Sequence, residues 1–237
     1  MAHVLSKGDL LARLAEGHAA RITVVTPNRR LSQSLMADFD AYQGGKGLAA
    51  WEAPDILPFD AFVVRLWEEA LYSDLELPFL LTSAQEQAIW QELVKDSSLL
   101  SINETAAQCR DAGRLEQAWR IAAGPAGEDA QAFREWAKKY EARTRGEIDA
   151  ARLPDLLLSL SKEFTPPKLL VAYAFDIVPP QTKDFLSALT AAECHPERGS
   201  GSAVKLSFPS ARQELERAAS WARARLEEGW GRIGVVV

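Results

Sequence analysis

The 237-residue chain has two cysteines and three histidines. Neither Cys109 nor Cys194 stands in a CxxC or Cys/His ligand spacing, so no structural zinc is expected and no disulfide is implied. Cys194-His195 precedes Pro196, the setting of a loop more than of a nucleophile. His3, His18 and His195 are scattered, and no metal site is expected. No apolar run approaches the roughly 20 residues that a bilayer requires. The opening MAHVLSKGDLLARLAEGH lacks a signal-peptide core, so a cytoplasmic protein without a membrane partner is expected. Positive charge is also short, with 27 Lys and Arg against 33 Asp and Glu and a net charge of −6. A domain that grips DNA unaided usually presents a basic face, because phosphate neutralisation dominates affinity. Any DNA contact is therefore expected through local groups, or through a larger parent protein.

The segment RITVVTPNRRLSQSLMADFDAY reads as a strand over Ile22–Thr26, a turn at Pro27, and a helix capped by Asn28 with Leu31, Leu35, Met36 and Phe39 on one face. An active P-loop ATPase places GxxxxGK[ST] in such a turn, because glycine backbone cradles phosphate and the lysine reaches the outer phosphates. Here the turn is Thr26-Pro27-Asn28-Arg29-Arg30, with neither glycine nor lysine. Gly44-Gly45-Lys46-Gly47 is followed by Leu48, not Ser or Thr, and reads as a flexible connection after the helix.

A second strand, Leu169–Phe175, runs into Asp176-Ile177 and then into a helix opened by Pro179-Pro180 and carrying Phe185, Leu186 and Leu189. Superfamily-one helicases end a similar strand in paired acids that organise magnesium and the attacking water. Asp176 fits the first acid as a relic, or it merely caps a turn; Ile177 replaces the second.

The segments VVTPNRRLSQSL, GLAAWEAPDILPFDAFVVRLWEEAL, LLTSAQEQAIWQELV, AYAFDIVPPQTKDFL and SARQELERAASWARARLEEGWGRIGVVV together resemble the bacterial DNA repair proteins related to AddB and RecC. These combine a helicase-like front with, often, a PD-(D/E)XK nuclease at the far end. The resemblance spans nearly the whole chain as an ordered set, although no single segment is a catalytic signature. It implies a RecA-like, mainly parallel α/β fold with a large helical insertion and degenerate ATP-binding motifs. It also implies recombination or repair of DNA by a parent of which this chain is the amino-terminal part. No catalytic residue, nucleotide site or cofactor is expected in the chain. Its partners would be DNA through the full-length parent, the remaining carboxyl-terminal helicase or nuclease part, and a helicase–nuclease partner subunit.

The pattern along the chain agrees. Helices are expected at Leu5–Ala15 and Phe59–Tyr72, with a further strand near Leu48–Trp51. From Thr82 to Ser161 the pattern is wholly helical, beginning with a capping box at Thr82-Ser83-Ala84-Gln85. Gly124-Pro125-Ala126-Gly127 separates two helices, and Pro154 can open another. Residues 1–80 and 163–204 are expected to form the α/β domain and 81–162 the insertion. Residues 205–237 would begin a following segment, with strands at Lys205–Phe208 and Gly231–Val237, a flexible loop at Gly199–Ser202, and a helix over Ser210–Glu228. That helix would bury Leu215, Ala218, Ala219, Ala222 and Leu226. A chain ending on a bare strand suggests that more chain follows.

Asn28, Arg29 and Arg30 are the candidate DNA contacts, since a loop at the carboxyl end of a sheet strand opens on the crevice where ligands of α/β sheets collect. Arg110, Arg114 and Arg120 on one helix, and Arg134, Lys138, Lys139, Arg143 and Arg145 on the next, read as solvated faces. The seven tryptophans read mainly as core, with Trp51 and Trp230, beside strands and glycine, left open. Two other classes remain open. One is an independent enzyme, either a divergent ATPase or a hydrolase using Asp176 or Cys194; the other is a protein-interaction scaffold that never touches DNA.

Overall fold

Beta-branched residues crowd Ile22–Thr26, and in the computed structural model they form an inner strand of a five-stranded parallel sheet. The structure describes residues 3–95, 101–122, 127–161, 167–189, 192–194 and 210–227. In chain order the strands are β1 (His3–Leu5), β2 (Ile22–Thr26), β3 (Asp55–Pro58), β4 (Phe79–Leu80), β5 (Glu147–Ile148), β6 (Leu169–Tyr173) and β7 (Ala192–Cys194). The helices are α1 (Lys7–Leu14), α2 (Arg29–Gly45), α3 (Phe59–Ala70), α4 (Ser83–Val94), α5 (Ile102–Trp119), α6 (Glu128–Arg143), α7 (Leu153–Ser159), α8 (Pro180–Leu189) and α9 (Ala211–Glu227). Contacts divide the chain into one unit spanning Met1–Glu197 and another spanning Arg198–Val237.

The sheet order is β1-β7-β6-β2-β3, with every pairing parallel. As the sequence predicts, β2 and β6 are neighbours despite the helical stretch between them, with Ile22 opposite Leu169 and Val24 opposite Val171. Strand periodicity sends alternate side chains to opposite faces. Val24, Val171 and Tyr173 meet Leu10 and Leu14 of α1 and Leu35 and Phe39 of α2. Val25, Leu170 and Ala172 meet Phe62 and Leu66 of α3, Leu157 of α7 and Phe185 of α8. Both faces are covered, as parallel sheets require. Phe185 approaches Phe59 and Phe62 edge-on at 5.6 and 6.4 Å, and a fully buried side chain of this size contributes about 1.5–3 kcal/mol.

Within the helical stretch, Thr82 and Gln85 form the reciprocal capping box that their spacing predicts. Helices α4, α5 and α6 enclose a separate core of Trp90, Val94, Ala106, Cys109 and Tyr140, where Trp90 stacks on Tyr140 at 4.4 Å. The stretch is not wholly helical: β5 interrupts it and pairs with β4, drawing the two ends of α4–α6 together.

Other expectations are corrected. The apolar run Leu48–Trp51 is not a strand; Trp51 donates its indole N–H to Asp40 at 2.9 Å, and pairing begins at Asp55. As an edge strand, β3 has a partner on one side only and buries only Ile56 deeply. Gly44 and Gly45 belong to α2, and only Lys46-Gly47 follows it. Helix α1 starts at Lys7 because residues 3–5 pair with β7. On α9, the face expected to be buried is open, with Leu215 and Leu226 exposed. The strands expected on either side of it, Lys205–Phe208 and Gly231–Val237, lie outside the described residues, as do His195, Gly199–Ser202 and Trp230. Trp67 and Trp90 are buried, whereas Trp119 and Trp221 are exposed. No helix among the described residues is long and apolar enough to cross a membrane.

Candidate functional site

The β2 and β6 chains lie side by side, yet their helices leave on opposite faces: α2 joins the α1 layer and α8 the α3 layer. Loops that diverge from neighbouring strands leave a crevice at the carboxyl edge of the sheet, where ligands of α/β folds usually bind. On the β2 side, Asn28 caps α2, its Oδ1 accepting the Leu31 N–H at 3.0 Å. Thr26 is fully buried; its Oγ1 donates to the Asn28 carbonyl at 2.9 Å and lies 2.7 Å from Ser32 Oγ. Side chains therefore close this turn, and it forms no open backbone cradle for phosphate. Arg29 and Arg30 occupy the first two positions of α2 and are exposed. No acid stands in that first turn, so both cations sit against the positive end of the helix dipole, at a cost of about 0.3–1 kcal/mol each. An anion placed there would relieve both.

On the β6 side, Ala174 takes a left-handed conformation, φ +61°, while remaining buried. Such a conformation costs a non-glycine residue about 1–2 kcal/mol. The bend turns Asp176 and Ile177 outward, and Ile177 is 76% exposed. Gln181, in the first turn of α8, donates to the Ala151 carbonyl at 2.8 Å and to Asp155 Oδ2 at 2.9 Å. Arg120 grips the same carboxylate through Nη1 at 2.8 Å and Nη2 at 2.5 Å, and lies 3.9 Å from Asp184. Arg120 is exposed, as expected, and it also ties the end of α5 to α7 and α8. Burial pushes the Asp155 carboxyl upward, but hydrogen bonds from Arg120 and Gln181 outweigh it and hold the group below its usual range.

Arg114 likewise pairs with Glu86, which is buried, at 3.2 Å. Burial pushes Glu86 upward, and Arg114 opposes that shift only in part. Asp149 accepts from Tyr140 at 3.1 Å and from Arg152 at 2.8 Å. Lys138, Lys139, Arg143 and Arg145 are exposed, as expected. No group of metal-ligating side chains occurs among the described residues. Cys109 is buried, and burial alone pushes its thiol up to about 11, which makes it a poor nucleophile. Cys194 lies in β7.

One junction leaves no signal in the sequence. Ser6-Lys7-Gly8 joins β1 to α1 at the same edge of the sheet, and a three-residue strand gives almost no periodic signal. Its lysine is engaged: Lys7 Nζ lies 2.8 Å from Asp38 Oδ2. Its helix start is occupied by Asp9, whose carboxylate accepts a hydrogen bond from the Ser6 hydroxyl at 2.8 Å while Ser6 Oγ accepts the Asp9 N–H. A carboxylate already sits where a phosphate would. At the opposite, amino edge of the sheet lies a cavity of about 510 Å³ bordered by Thr23, Asp55 and Arg65.

No protein-family model matches the chain, and no curated protein matches it closely enough to show kinship.

Proposed function

We propose that the chain is a RecA-like domain that does not hydrolyse ATP, belonging to a bacterial DNA repair helicase–nuclease of the AddB and RecC kind, and that it guides DNA past the carboxyl edge of its sheet. The observation that carries this reading is that β2 and β6 are neighbours whose following helices lie on opposite faces, with two exposed arginines at a helix start without acids after β2 and a single acid, Asp176, on the loop after β6. Hydrolysis needs a phosphate cradle, a lysine and paired acids to organise magnesium and water. The Thr26–Arg30 turn is closed by its own side chains, Lys7 is held by Asp38, and Ile177 stands where a second acid would be. These absences also weigh against a divergent ATPase. In this reading Arg29 and Arg30 meet backbone phosphates, Asn28 sets the helix start that presents them, and Asp176 is a relic. The remaining carboxyl-terminal part of the parent, or a partner subunit, would supply catalysis.

A second reading, a scaffold with no DNA contact, is favoured by the exposed Trp119, Ile121 and Ile177 and by the net charge of −6. A salt series with single-stranded and duplex DNA decides between them. For the guiding role, Arg29→Ala/Arg30→Ala lowers affinity and flattens the slope of log affinity against log salt by up to about 1.4 on single strands, roughly 0.7 per phosphate contact. Equal affinities and slopes in the two proteins would leave the scaffold. Calorimetry with magnesium and ATP is expected to give no heat of binding; hydrolysis lost on substituting Asp176 would reinstate the ATPase.

A further inference from the structure

The 510 Å³ cavity at the amino edge lies at the opposite end of the sheet from Arg29 and Arg30, between the starts of β2 and β3 and the flank of α3. Its volume falls in the range of small-molecule sites. Leu14, Ile22, Leu66 and Pro167 give it an apolar wall. Arg65 also lines it, and the bonds of the guanidinium decide which part of that group a ligand can reach. Nη1 donates to both oxygens of Asp55 at 2.8 and 3.0 Å, Nη2 is turned to Thr23 Oγ1 at 3.4 Å, and Nε is buried. One face lies over the Phe62 ring, 5.4 Å from its centroid, and Phe62 itself is fully buried. Arg65 still keeps 33% of its side chain exposed. With its edge and one face taken, the guanidinium offers the cavity the face turned away from Phe62. One turn further along α3, the exposed Glu69 lines the cavity too, and its carboxylate has no hydrogen bond or ion pair among the described residues.

We propose that this cavity binds a flat, uncharged heteroaromatic ring with N–H donors on one edge, of the class of a guanine base or nucleoside. The ring stacks on the open face of Arg65, and its edge donates to Glu69. Guanidinium planes are stacking platforms for bases. Stacking calls on none of the N–H groups that Arg65 has already committed, and it leaves the Asp55 pair intact. The second face of a flat ring covers the apolar wall. Glu69 is an acceptor, so the ligand must bring the donor. Along the lining, Arg21 and Arg65 balance Asp55 and Glu69. The phosphates of a strand therefore find no net positive charge, and a free base or nucleoside fits better. This site is independent of the DNA reading and stands if that reading fails.

The test is a titration of the full chain, followed by amide nitrogen–proton correlation spectra, with guanosine and, in parallel, inosine, which has the same rings without the exocyclic amino group. Guanosine is expected to shift Thr23, Ala53 and Leu66 and to bind about two- to tenfold more tightly than inosine, the range for one hydrogen bond. Glu69→Ala, a change at an exposed position, should erase that difference. Arg65→Lys keeps a cation for Asp55 but has no flat face, and it should weaken both nucleosides about two- to fivefold. A single-stranded thymidine hexamer holding one guanine should shift the cavity residues only at higher concentration than guanosine. The proposal is overturned if guanosine leaves the cavity residues unshifted, if inosine binds the native chain as well, if folded Arg65→Lys binds both unchanged, or if the hexamer fills the cavity more tightly than guanosine. Should Arg65→Lys not fold, a guanosine preference that survives Glu69→Ala overturns it equally.

Discussion

Replacing Gly17 by alanine probes the turn that rims the amino-edge cavity. Gly17 sits at φ +81° and ψ −173°, a region essentially reserved for glycine, where another residue costs about 1–3 kcal/mol. An added Cβ would also overlap Glu52 Oε2, the atom that accepts the His18 N–H at 2.6 Å. Expelling that carboxylate forfeits one hydrogen bond, about 0.5–1.5 kcal/mol net. Gly17→Ala should therefore destabilise the protein by about 2–4 kcal/mol in total. In urea unfolding this appears as a lower midpoint with an unchanged slope. In an Glu52→Ala background the overlap is gone, and only the backbone part, about 1–3 kcal/mol, should remain. A Gly17→Ala protein within about 0.5 kcal/mol of the native chain, the usual range for a neutral surface change, would refute the argument. Equal costs in the two backgrounds would remove Glu52 from it.

Arg120→Ala should lower stability near neutrality by less than about 1 kcal/mol, since the pair is about a third exposed and solvent screens it. The folded-state value of Asp155 is depressed, so its contribution is complete above the unfolded value of about 3.9 and fades as pH falls through the folded value. Unfolding curves of the variant and native chain should converge in that acid range, and an equal deficit at pH 3 and pH 7 would contradict the pairing. In a Cys194→Ser background, Cys109 should react with a maleimide only as the insertion core opens, because the thiol is buried and pushed up to about 11. Labelling at the rate of an unfolded peptide would place Cys109 outside that core.

What the sequence discloses and what it hides follow from how each element is held. The adjacency of β2 and β6 is legible because both strands are buried on two faces and must be apolar throughout. The Asn28 cap and the Thr82/Gln85 box are legible because a short side chain at a fixed offset satisfies a helix-end donor. Strands β1, β4, β5 and β7 are two or three residues long and leave no period to read. The Leu48–Trp51 run misleads because its tryptophan is held by a hydrogen bond to Asp40, not by a neighbouring strand. At the candidate site, Arg29, Arg30 and Asp176 are local and visible. The commitments of Lys7 to Asp38 and of Arg120 to Asp155 join distant segments, and no spacing rule exposes them. The amino-edge cavity is hidden for the same reason, since its lining comes from four separate stretches of chain.

The borders of the main sheet limit how it can be joined to anything else. Among the described residues, one border is β1, three residues long, and the other is β3, four residues ending in Pro58, which has no N–H to offer. Asp55, at the head of β3, already holds Thr23 and Arg65. Short, proline-stopped, charge-bearing margins give an incoming strand few main-chain groups to pair with, and they guard against edge-to-edge aggregation. Recognition by strand addition is thus poorly served at either margin, and an assembly containing this unit has to engage it through helix flanks and loop tips.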